Sequence, residues 1–414
     1  MSPNNNTGKL QVNVVSAGNS RPIPDARVSI SFTGEPNSTI EELTTDSSGQ
    51  TETIDLESPP LEYSLNPTIE IQPYSEYTLT ITASDFEPIS ISGTEILPTV
   101  TALQNVRMRP LTPGTEQEEV FVIPAHTLYA EYPPKIPEAE IKPVRETGEI
   151  VLSRVVVPEY IVVHDGSPRD TTAQNYYVKY KDYIKNVASS EIYATWEPNA
   201  IRANVLAIMS FTLNRVYTEW YRNQGYDFTI TSSTAFDHKW IPERNIYDTI
   251  SVIVDELFAN YLSRPNVKQP ILTQYCDGRR VQCPNWMTQW GSQSLAERGY
   301  SAIEILRYYY GDNMYINTAP EISGIPSSWP GYNLEQGSTG DKVRQMQEQL
   351  NVIAGAYPAI PKITADGIYG PATAAAVRKF QSVFGLPVTG VVDYKTWYKI
   401  SEIYVGVSRI AELV

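Results

Sequence analysis

Apolar and polar residues alternate along the first 110 positions, and this period of two is typical of half-buried β-strands. Turn-forming residues interrupt the alternation at 22–25, 46–49 and 66–67. The alternating apolar residues are Leu10, Val12, Val14, Val28, Ile30, Phe32, Tyr77, Leu79 and Ile81. The pattern predicts that residues 1–111 form an all-β sandwich.

Proline punctuates the next stretch, residues 112–157, and rules out a regular helix or a central strand there. The prolines are Pro113, Pro124, Pro133, Pro134, Pro137 and Pro143. Acidic residues and short apolar pieces such as 120–123 lie between them. We therefore predict an acidic, Pro-rich segment that is a linker or an exposed arm docked along other domains.

The apolar spacing changes to three and four in residues 158–317, which predicts an α+β domain made mainly of helices. A long helix should begin at Pro198 and end at Gly225. A second helix should cover 246–261, and a third helical region 292–310. A domain of about 160 residues is large enough to bury a core of its own.

A second helical pattern covers residues 334–404, after a predicted linker at 318–333. Ser338 and Thr339 are N-cap residue types and precede the first of three short helices. The apolar residues that mark these helices are Val343, Met346, Leu350, Ala376, Val377, Phe380, Phe384, Trp397 and Ile400. The pattern predicts a three-helix module, and the chain as a whole is predicted to be a multidomain protein.

The negative charge of the chain is concentrated at its front. Residues 1–110 hold 14 acidic and 5 basic residues, residues 111–157 hold 8 and 4, and residues 158–414 hold 25 and 23. The helical parts are therefore near neutral, and since no basic stripe is present, nucleic acid is not a predicted partner.

No apolar run reaches the roughly 18 residues of a membrane span. The first residues lack the basic and apolar regions of a secretory signal peptide, so none is predicted.

Two cysteines, Cys276 and Cys283, are too few for a disulfide framework. Three states stay open for them: a local bridge, free thiols, or ligation of a metal together with His238. Their spacing matches no zinc signature, so neither a metal nor a cofactor is predicted.

Four blocks of the C-terminal module occur in the order and spacing of a known family. They are residues 337–347, 366–373, 376–381 and 385–393. In these blocks the chain resembles the peptidoglycan-binding type 1 module. The resemblance implies that the chain works on, or is anchored in, a bacterial cell wall. Helical periodicity alone indicates only a small helical domain.

Three blocks of the front part, 22–28, 45–49 and 73–77, resemble the carboxypeptidase-regulatory-like β-sandwich. The resemblance implies a domain without a catalytic function. A sugar-binding sandwich is the alternative, although Tyr63 and Tyr74 are more simply explained as strand and loop residues.

Two blocks of the central domain, 183–203 and 287–310, resemble the stage II sporulation protein D family. The first block carries Glu191, a Trp-Glu-Pro turn and an Ala-rich helix. The resemblance implies a lytic transglycosylase that acts on the glycan strands of peptidoglycan, with Glu191 as the catalytic acid. The side chains predicted to bind substrate beside it are Trp196, Tyr275, Gln289 and Trp290.

One carboxyl group is sufficient for such a reaction. Glu191 would protonate the leaving glycosidic oxygen, and the hydroxyl at position six of the muramic acid would attack its own anomeric carbon. A hydrolase normally adds a second carboxylate as base or nucleophile. Partial burial by Tyr193 and Trp196 should keep Glu191 protonated. The plainer alternative for Glu191 is a surface residue that caps a helix, a role for which Glu197 is the nearer candidate.

One position departs from the family pattern. Many relatives carry an Arg eighteen residues after the catalytic Glu, and in this chain that position is Met209. Arg202 and Arg215 are the candidate substitutes, but a solvated helix face is the role predicted for both.

The order of the parts along the whole chain resembles the family of clostridial spore cortex-lytic enzymes. The resemblance implies an inactive pro-form stored in dormant spores, which a subtilisin-like germination protease activates by removing the front part. It also implies synthesis in the mother cell and a location in the cortex and coat region of the spore. Cortex peptidoglycan would be the substrate.

The activating cut is predicted between residues 146 and 157, because 149–157 is an apolar, extended run that suits a subtilisin-type cleft. The alternative is that the run forms the first strand of the central domain. Two other functions of the chain stay open at this point. One is a phage-tail or prophage lysin, and the other is a non-catalytic, wall-anchored spore protein.

Overall fold

The computed structural model describes residues 6–17, 20–112, 118–142, 154–323, 330 and 332–408. The N-terminal part is rich in β-sheet and the C-terminal region is helical, so the chain is a multidomain protein, as predicted. Residues 143–153, which contain most of the predicted cleavage region, lie outside the described residues.

Two sheets with a shared apolar core form the N-terminal part. Its elements are β1 (Thr7–Ser16), β2 (Arg27–Phe32), β3 (Thr39–Thr44), β4 (Ile54–Glu57), α1 (Glu62–Leu65), β5 (Ser75–Thr82), β6 (Ile89–Ile96), β7 (Thr101–Met108) and β8 (Glu119–Val122). One sheet has the strand order β3-β2-β5-β6-β8, and in the other β7, β1 and β4 are neighbours. Every second residue of β1 is buried, including Leu10, Val12 and Val14, which is the period that the sequence shows.

Strand β8 continues the first sheet beyond residue 111, the predicted end of the sandwich. Residues 119–122 pair in parallel with residues 89–92 of β6. Part of the predicted linker is therefore a strand of the sandwich. Local composition did not reveal this because the pairing partner lies elsewhere in the chain.

The central part combines short strands with longer helices, and α3 contacts the helices on either side of it in the chain. Its elements are β9 (Val156–Val157), β10 (Tyr160–His164), β11 (Asn175–Lys179), α2 (Tyr180–Glu191), α3 (Pro198–Thr218), β12 (Ile230–Thr231), β13 (Ile246–Tyr247), α4 (Asp248–Leu257), β14 (Asn260–Ser263), β15 (Tyr275–Cys276), β16 (Met287–Thr288), α5 (Gln289–Glu297), α6 (Ala302–Tyr310), β17 (Tyr315–Thr318) and β18 (Glu321–Ile322). The end of the predicted cleavage region, β9, pairs in parallel with β18.

Helix α3 begins at Pro198, as predicted, because proline at the first helical position sacrifices no hydrogen bond. The helix ends earlier than predicted. Thr218 is its last residue, and Glu219 takes up a left-handed conformation with φ 44°. Gly225 instead ends the short 3-10 turn Arg222–Gln224.

The second predicted helix also starts later and ends earlier than its apolar spacing indicates. Ile246 and Tyr247 form β13, which pairs antiparallel with Leu103 and Ala102 of β7. The helix itself, α4, covers Asp248–Leu257. A strand from the central part thus completes the second N-terminal sheet, whose full order is β13-β7-β1-β4.

The C-terminal module is helical, with buried glutamines that hold its turns. Its helices are α7 (Asp341–Ala356), α8 (Pro371–Val383) and α9 (Tyr394–Ser408). The side-chain oxygen of Gln347 accepts the N–H of Gly367 at 2.8 Å. Gln381 accepts the N–H of Gly390 in the same way, also at 2.8 Å. These bonds satisfy backbone groups that the module would otherwise bury unpaired.

Helix α7 begins directly after Gly340, and no side chain caps its first turn. The predicted capping by Ser338 or Thr339 is therefore wrong. The Ser338 hydroxyl instead accepts the backbone N–H of Glu335 at 3.0 Å, within the turn that precedes the helix.

Ion pairs are among the contacts that join the three parts of the chain to one another. Arg244 of the central part and Glu95 of the sandwich form a fully buried ion pair, with 2.6 Å between Nη1 and Oε1. Helix α9 of the module lies against α4, where Lys395 Nζ is 2.8 Å from Glu256 Oε1. A buried ion pair adds little net stability, but it strongly disfavours arrangements that separate its partners.

Candidate active site

Glu191 is the last residue of α2 and is completely buried. Its Oε1 accepts the backbone N–H of Lys239 at 2.6 Å, and its Oε2 accepts the hydroxyl of Tyr275. The side-chain amide of Gln289 donates to the main-chain oxygen of Glu191 at 3.0 Å. Groups from two separate segments therefore hold the carboxyl group in one orientation, and a third segment holds the main chain of the same residue.

Burial raises the pKa of the Glu191 carboxyl above its ordinary value of 4.5, because a buried carboxylate loses its hydration. The nearby ammonium of Lys135 and the hydroxyl of Tyr275 lower this pKa and offset part of the rise. The net rise favours the protonated form at a higher pH than for an exposed Glu. This is the property that a general acid needs near neutral pH.

The predicted substrate-binding residues Trp196 and Trp290 lie in a buried aromatic cluster with Tyr193. The rings of Trp196 and Trp290 are 5.0 Å apart, and Tyr193 meets both edge-on. Trp196 Nε1 donates at 2.9 Å to the main-chain oxygen of Ser64, in α1 of the sandwich. In the full chain this tryptophan therefore contacts the N-terminal part.

The structure brings the five predicted residues into one region. Tyr275 and Gln289 contact Glu191 directly, whereas Trp196 and Trp290 contact Tyr193, two residues further along the chain. All five are buried, and Trp290 has the largest exposed fraction, 8%.

Residues 124–142, called the arm below, pass close to Glu191, and sequence reasoning named none of them as a site residue. Tyr132 is buried, and its pKa is raised first by burial and then by the neighbouring negative charge of Glu191. The Lys135 ammonium is 4.9 Å from the centre of the Tyr275 ring and donates to the main-chain oxygen of Asp237. The arm thus places both side chains near the carboxyl group.

Hydrogen bonds that involve main-chain groups fasten the arm along the central part. The Thr127 hydroxyl donates to the main-chain oxygen of Ser190 at 2.8 Å, one residue before Glu191. The N–H of Ile136 donates to the oxygen of Ala235 at 2.8 Å, and its oxygen accepts the side-chain amide of Gln274, also at 2.8 Å. Residues 124–142 are therefore docked on the central part, next to the candidate active site.

Arg215 is fully buried, so the predicted solvated helix face is wrong for this residue. Its Nε lies 2.7 Å from Asp237 Oδ1, and its two terminal nitrogens contact Glu138 of the arm at 2.6 and 3.0 Å. Arg202 is partly exposed and pairs with Glu256. Met209, at the position of the family Arg, is buried in α3.

Cys276 and Cys283 form a disulfide, which selects one of the three states left open by the sequence. Between them, Gly278 has a left-handed conformation with φ 77°, and a Cβ there would lie 2.4 Å from Thr288 Cβ. The bridge therefore closes a tight turn directly after Tyr275, the residue that donates to Glu191.

Residues 339–400 match the peptidoglycan-binding domain family. The chain is 42% identical over 77 residues to the zinc D-Ala-D-Ala carboxypeptidase of Streptomyces albus G, which is 18% of this chain and 28% of the relative. It is 41% identical over 68 residues to an uncharacterized protein of Kitasatospora aureofaciens, covering 16% of this chain and 53% of the relative. The chain thus spans only about a quarter and about half of the length of these curated relatives.

Among solved structures, the SleB N-terminal domain is similar to 19% of this chain, with 99% of that domain covered, 28% identity and a TM-score of 0.17. The minor pilin GBS52 of Streptococcus agalactiae is similar to 27% of the chain and 48% of the pilin, with 16% identity and a TM-score of 0.19. At these TM-scores neither similarity supports an argument about fold or function.

The helical C-terminal region of this multidomain chain therefore contains a peptidoglycan-binding domain, and this domain points to a cell-wall-associated protein. Within the described ranges, no helix is both long enough and apolar enough to cross a bilayer.

Removal of residues 334–404 should lower the amount of chain retained on insoluble sacculi by about 10-fold, since a second binding unit adds its affinity through effective concentration. A pull-down with purified sacculi measures this. The deletion uncovers Phe258 of the central part, whose ring lies 5.7 Å from that of Tyr394. Circular dichroism must therefore show that the shortened chain is folded, and equal retention of a folded shortened chain contradicts the prediction.

Proposed function

We propose that this chain is a peptidoglycan lytic transglycosylase that its own N-terminal region keeps inactive. The observation that carries the proposal is Glu191, a buried carboxyl group with a raised pKa, oriented by Tyr275 and the N–H of Lys239. The peptidoglycan-binding domain in the same chain supplies the substrate class.

In the proposed reaction, Glu191 gives its proton to the glycosidic oxygen as the bond between that oxygen and the anomeric carbon breaks. Positive charge then develops on the muramic acid ring. The hydroxyl at position six of the same sugar attacks the anomeric carbon, and its proton returns to the Glu191 carboxylate. No water is consumed, and the catalytic group ends the cycle in its starting state.

The environment of the neighbouring acidic residues supports a reaction with a single carboxyl group. Asp237 accepts Arg215 Nε and the hydroxyl of Tyr221, each at 2.7 Å. Asp277 accepts the backbone N–H of Arg280 at 2.8 Å, besides two further N–H groups of the same turn. Both carboxylates are engaged in holding the structure, whereas a hydrolase would need one of them free to act on water or sugar.

Product analysis tests the proposed chemistry. After removal of the N-terminal region, mass spectrometry of digested cortex and vegetative sacculi should show glycan ends of 1,6-anhydromuramic acid. Reducing muramic acid ends alone would identify a hydrolase instead. Intact glycan strands after incubation would favour a non-catalytic wall protein.

We further propose that the chain is a spore cortex-lytic enzyme precursor, made in the mother cell and stored in the cortex and coat region. A subtilisin-like germination protease would cut it between residues 146 and 157 during germination. The arm over Glu191 supports this proposal, because a cut after the arm would allow it to leave. N-terminal sequencing of the protein from germinating spores is the test. An active form that still begins near Met1 contradicts it, and an active form isolated from phage particles would indicate a lysin.

A further inference from the structure

Two glutamates of the arm each face an arginine of the central part. Glu138 meets Arg215 with two contacts, at 2.6 and 3.0 Å. Glu140 meets Arg264 with two contacts, 2.6 Å to Nε and 2.7 Å to Nη2. This paired geometry is how a guanidinium group binds a planar carboxylate most strongly.

Neither arginine depends on the arm to be held in place. Arg215 also contacts Asp237, and Arg264 Nη1 donates to Asn313 Oδ1 at 2.5 Å. If the arm left, each guanidinium would keep its support from the central part and lose its carboxylate partner from the arm. The two vacated positions would then accept a carboxylate from another molecule.

An open cleft lies beside these two pairs. The arm glutamates and Arg264 form one part of its wall, and Trp286, Tyr309 and Tyr310 contribute aromatic side chains. Tyr310 donates at 2.9 Å to the main-chain oxygen of Gln274, the residue before Tyr275. The cleft therefore leads toward the segment that contacts Glu191. Aromatic walls with a few well-placed polar groups are typical of ligand sites.

We propose that Arg215 and Arg264 form a carboxylate-binding site for peptidoglycan, which Glu138 and Glu140 occupy in the full chain. The site takes carboxylates of the glycan strand or of its stem peptides, so the arm mimics the charge of the substrate. This inference rests on the proposed function, because it assumes that the cleft is the substrate path.

Glu140 is the better position for a test, because Glu138 lies among buried charges. The side chain of Glu140 is 37% exposed and that of Arg264 is 18% exposed, whereas Arg215 is not exposed at all. Replacement of Glu140 by Gln keeps the shape of the side chain and removes its charge. It leaves Arg264 charged at the edge of a cleft that is already open in the full chain.

The experiment measures binding of peptide-free peptidoglycan oligomers, with free lactyl carboxylates, to the full-length E140Q chain. We expect E140Q to bind at least about 10-fold more tightly than the unmodified chain, the effect of one charged hydrogen-bonded pair. The double variant E140Q/R264Q should lose the gain. E131Q, which neutralises an exposed carboxylate of the same arm, is the matched control and should not change binding.

Amidated oligomers and oligomers that carry stem peptides distinguish the two carboxylate sources. If amidation of the lactyl groups abolishes the tighter binding of E140Q, the site binds carboxylates of the glycan strand. If only peptide-bearing oligomers bind more tightly to E140Q, the site binds carboxylates of the stem peptide. If E140Q binds no oligomer more tightly than E131Q does, or if E140Q/R264Q keeps the gain, the inference is overturned. Because binding is measured, a chain that proved to lack lytic activity would give the same result.

Discussion

Replacement of Glu191 by Gln should reduce glycan cleavage by at least about 10²-fold, the usual contribution of a general acid. Gln has nearly the same shape but carries no proton that it can transfer to the glycosidic oxygen. The activity of the chain after removal of its N-terminal region, measured on purified cortex, gives the comparison. Glu197→Gln is the matched control, since Glu197 is an exposed carboxylate six residues further along and caps no N–H with its side chain.

Thermal unfolding shows whether E191Q lost activity because it lost structure. The folded-state pKa of Glu191 is raised above 4.5, so the folded chain holds this proton more tightly than the unfolded chain does. Its contribution to stability is therefore greatest below the unfolded pKa and falls as pH rises through the raised folded value. E191Q should be at least as stable as the unmodified chain at neutral pH. Near-normal turnover by a folded E191Q chain would remove Glu191 from the mechanism.

The sequence predicts the elements whose signals are local. Helix α3 begins at Pro198 because one residue type fixes the start, and the buried face of β1 follows from the alternation of Leu10, Val12 and Val14. Strand β13 was missed because its partner is β7, more than a hundred residues earlier in the chain. The apolar spacing around Ile246 fits a helix as well as it fits a strand. Only the pairing with β7 makes this segment a strand.

The site shows the same division between local and long-range information. The matched blocks identified Glu191, and the structure brings Tyr275 and Gln289 to it, although the catalytic roles stay predictions. The predicted exposure of Arg215 was wrong because most residues of α3, Arg215 among them, are buried against other elements. Composition predicted a docked arm, but which arm residues would cover Glu191 depends on contacts that no local pattern encodes.

A single cut within residues 143–153 should raise glycan-cleaving activity by at least about 100-fold relative to the intact chain. In the intact chain the arm places Tyr132 and Lys135 near the buried Glu191, so only molecules with an open arm can bring a glycan strand to this carboxyl group. An opening that costs about 3 kcal/mol leaves less than about 1% of molecules competent, and activity falls by the same factor. A cut there frees the end of the arm that carries Glu140, and the arm can then peel away from the cleft. Release of dye-labelled glycan from cortex, before and after the cut, measures the change.

The matched control is a cut within residues 113–117, on the other side of the arm. Strand β8 follows this second position and pairs with β6, so the arm would stay anchored to the sandwich at one end and to the central part at the other. This cut should leave activity close to that of the intact chain. In the uncut chain, the double variant Tyr132→Ala/Lys135→Ala should restore part of the activity, because it removes two side chains near Glu191 without releasing the arm. An intact chain as active as the one cut at 143–153 would show that the arm does not control access, and the buried position of Glu191 would then argue against its role as the acid.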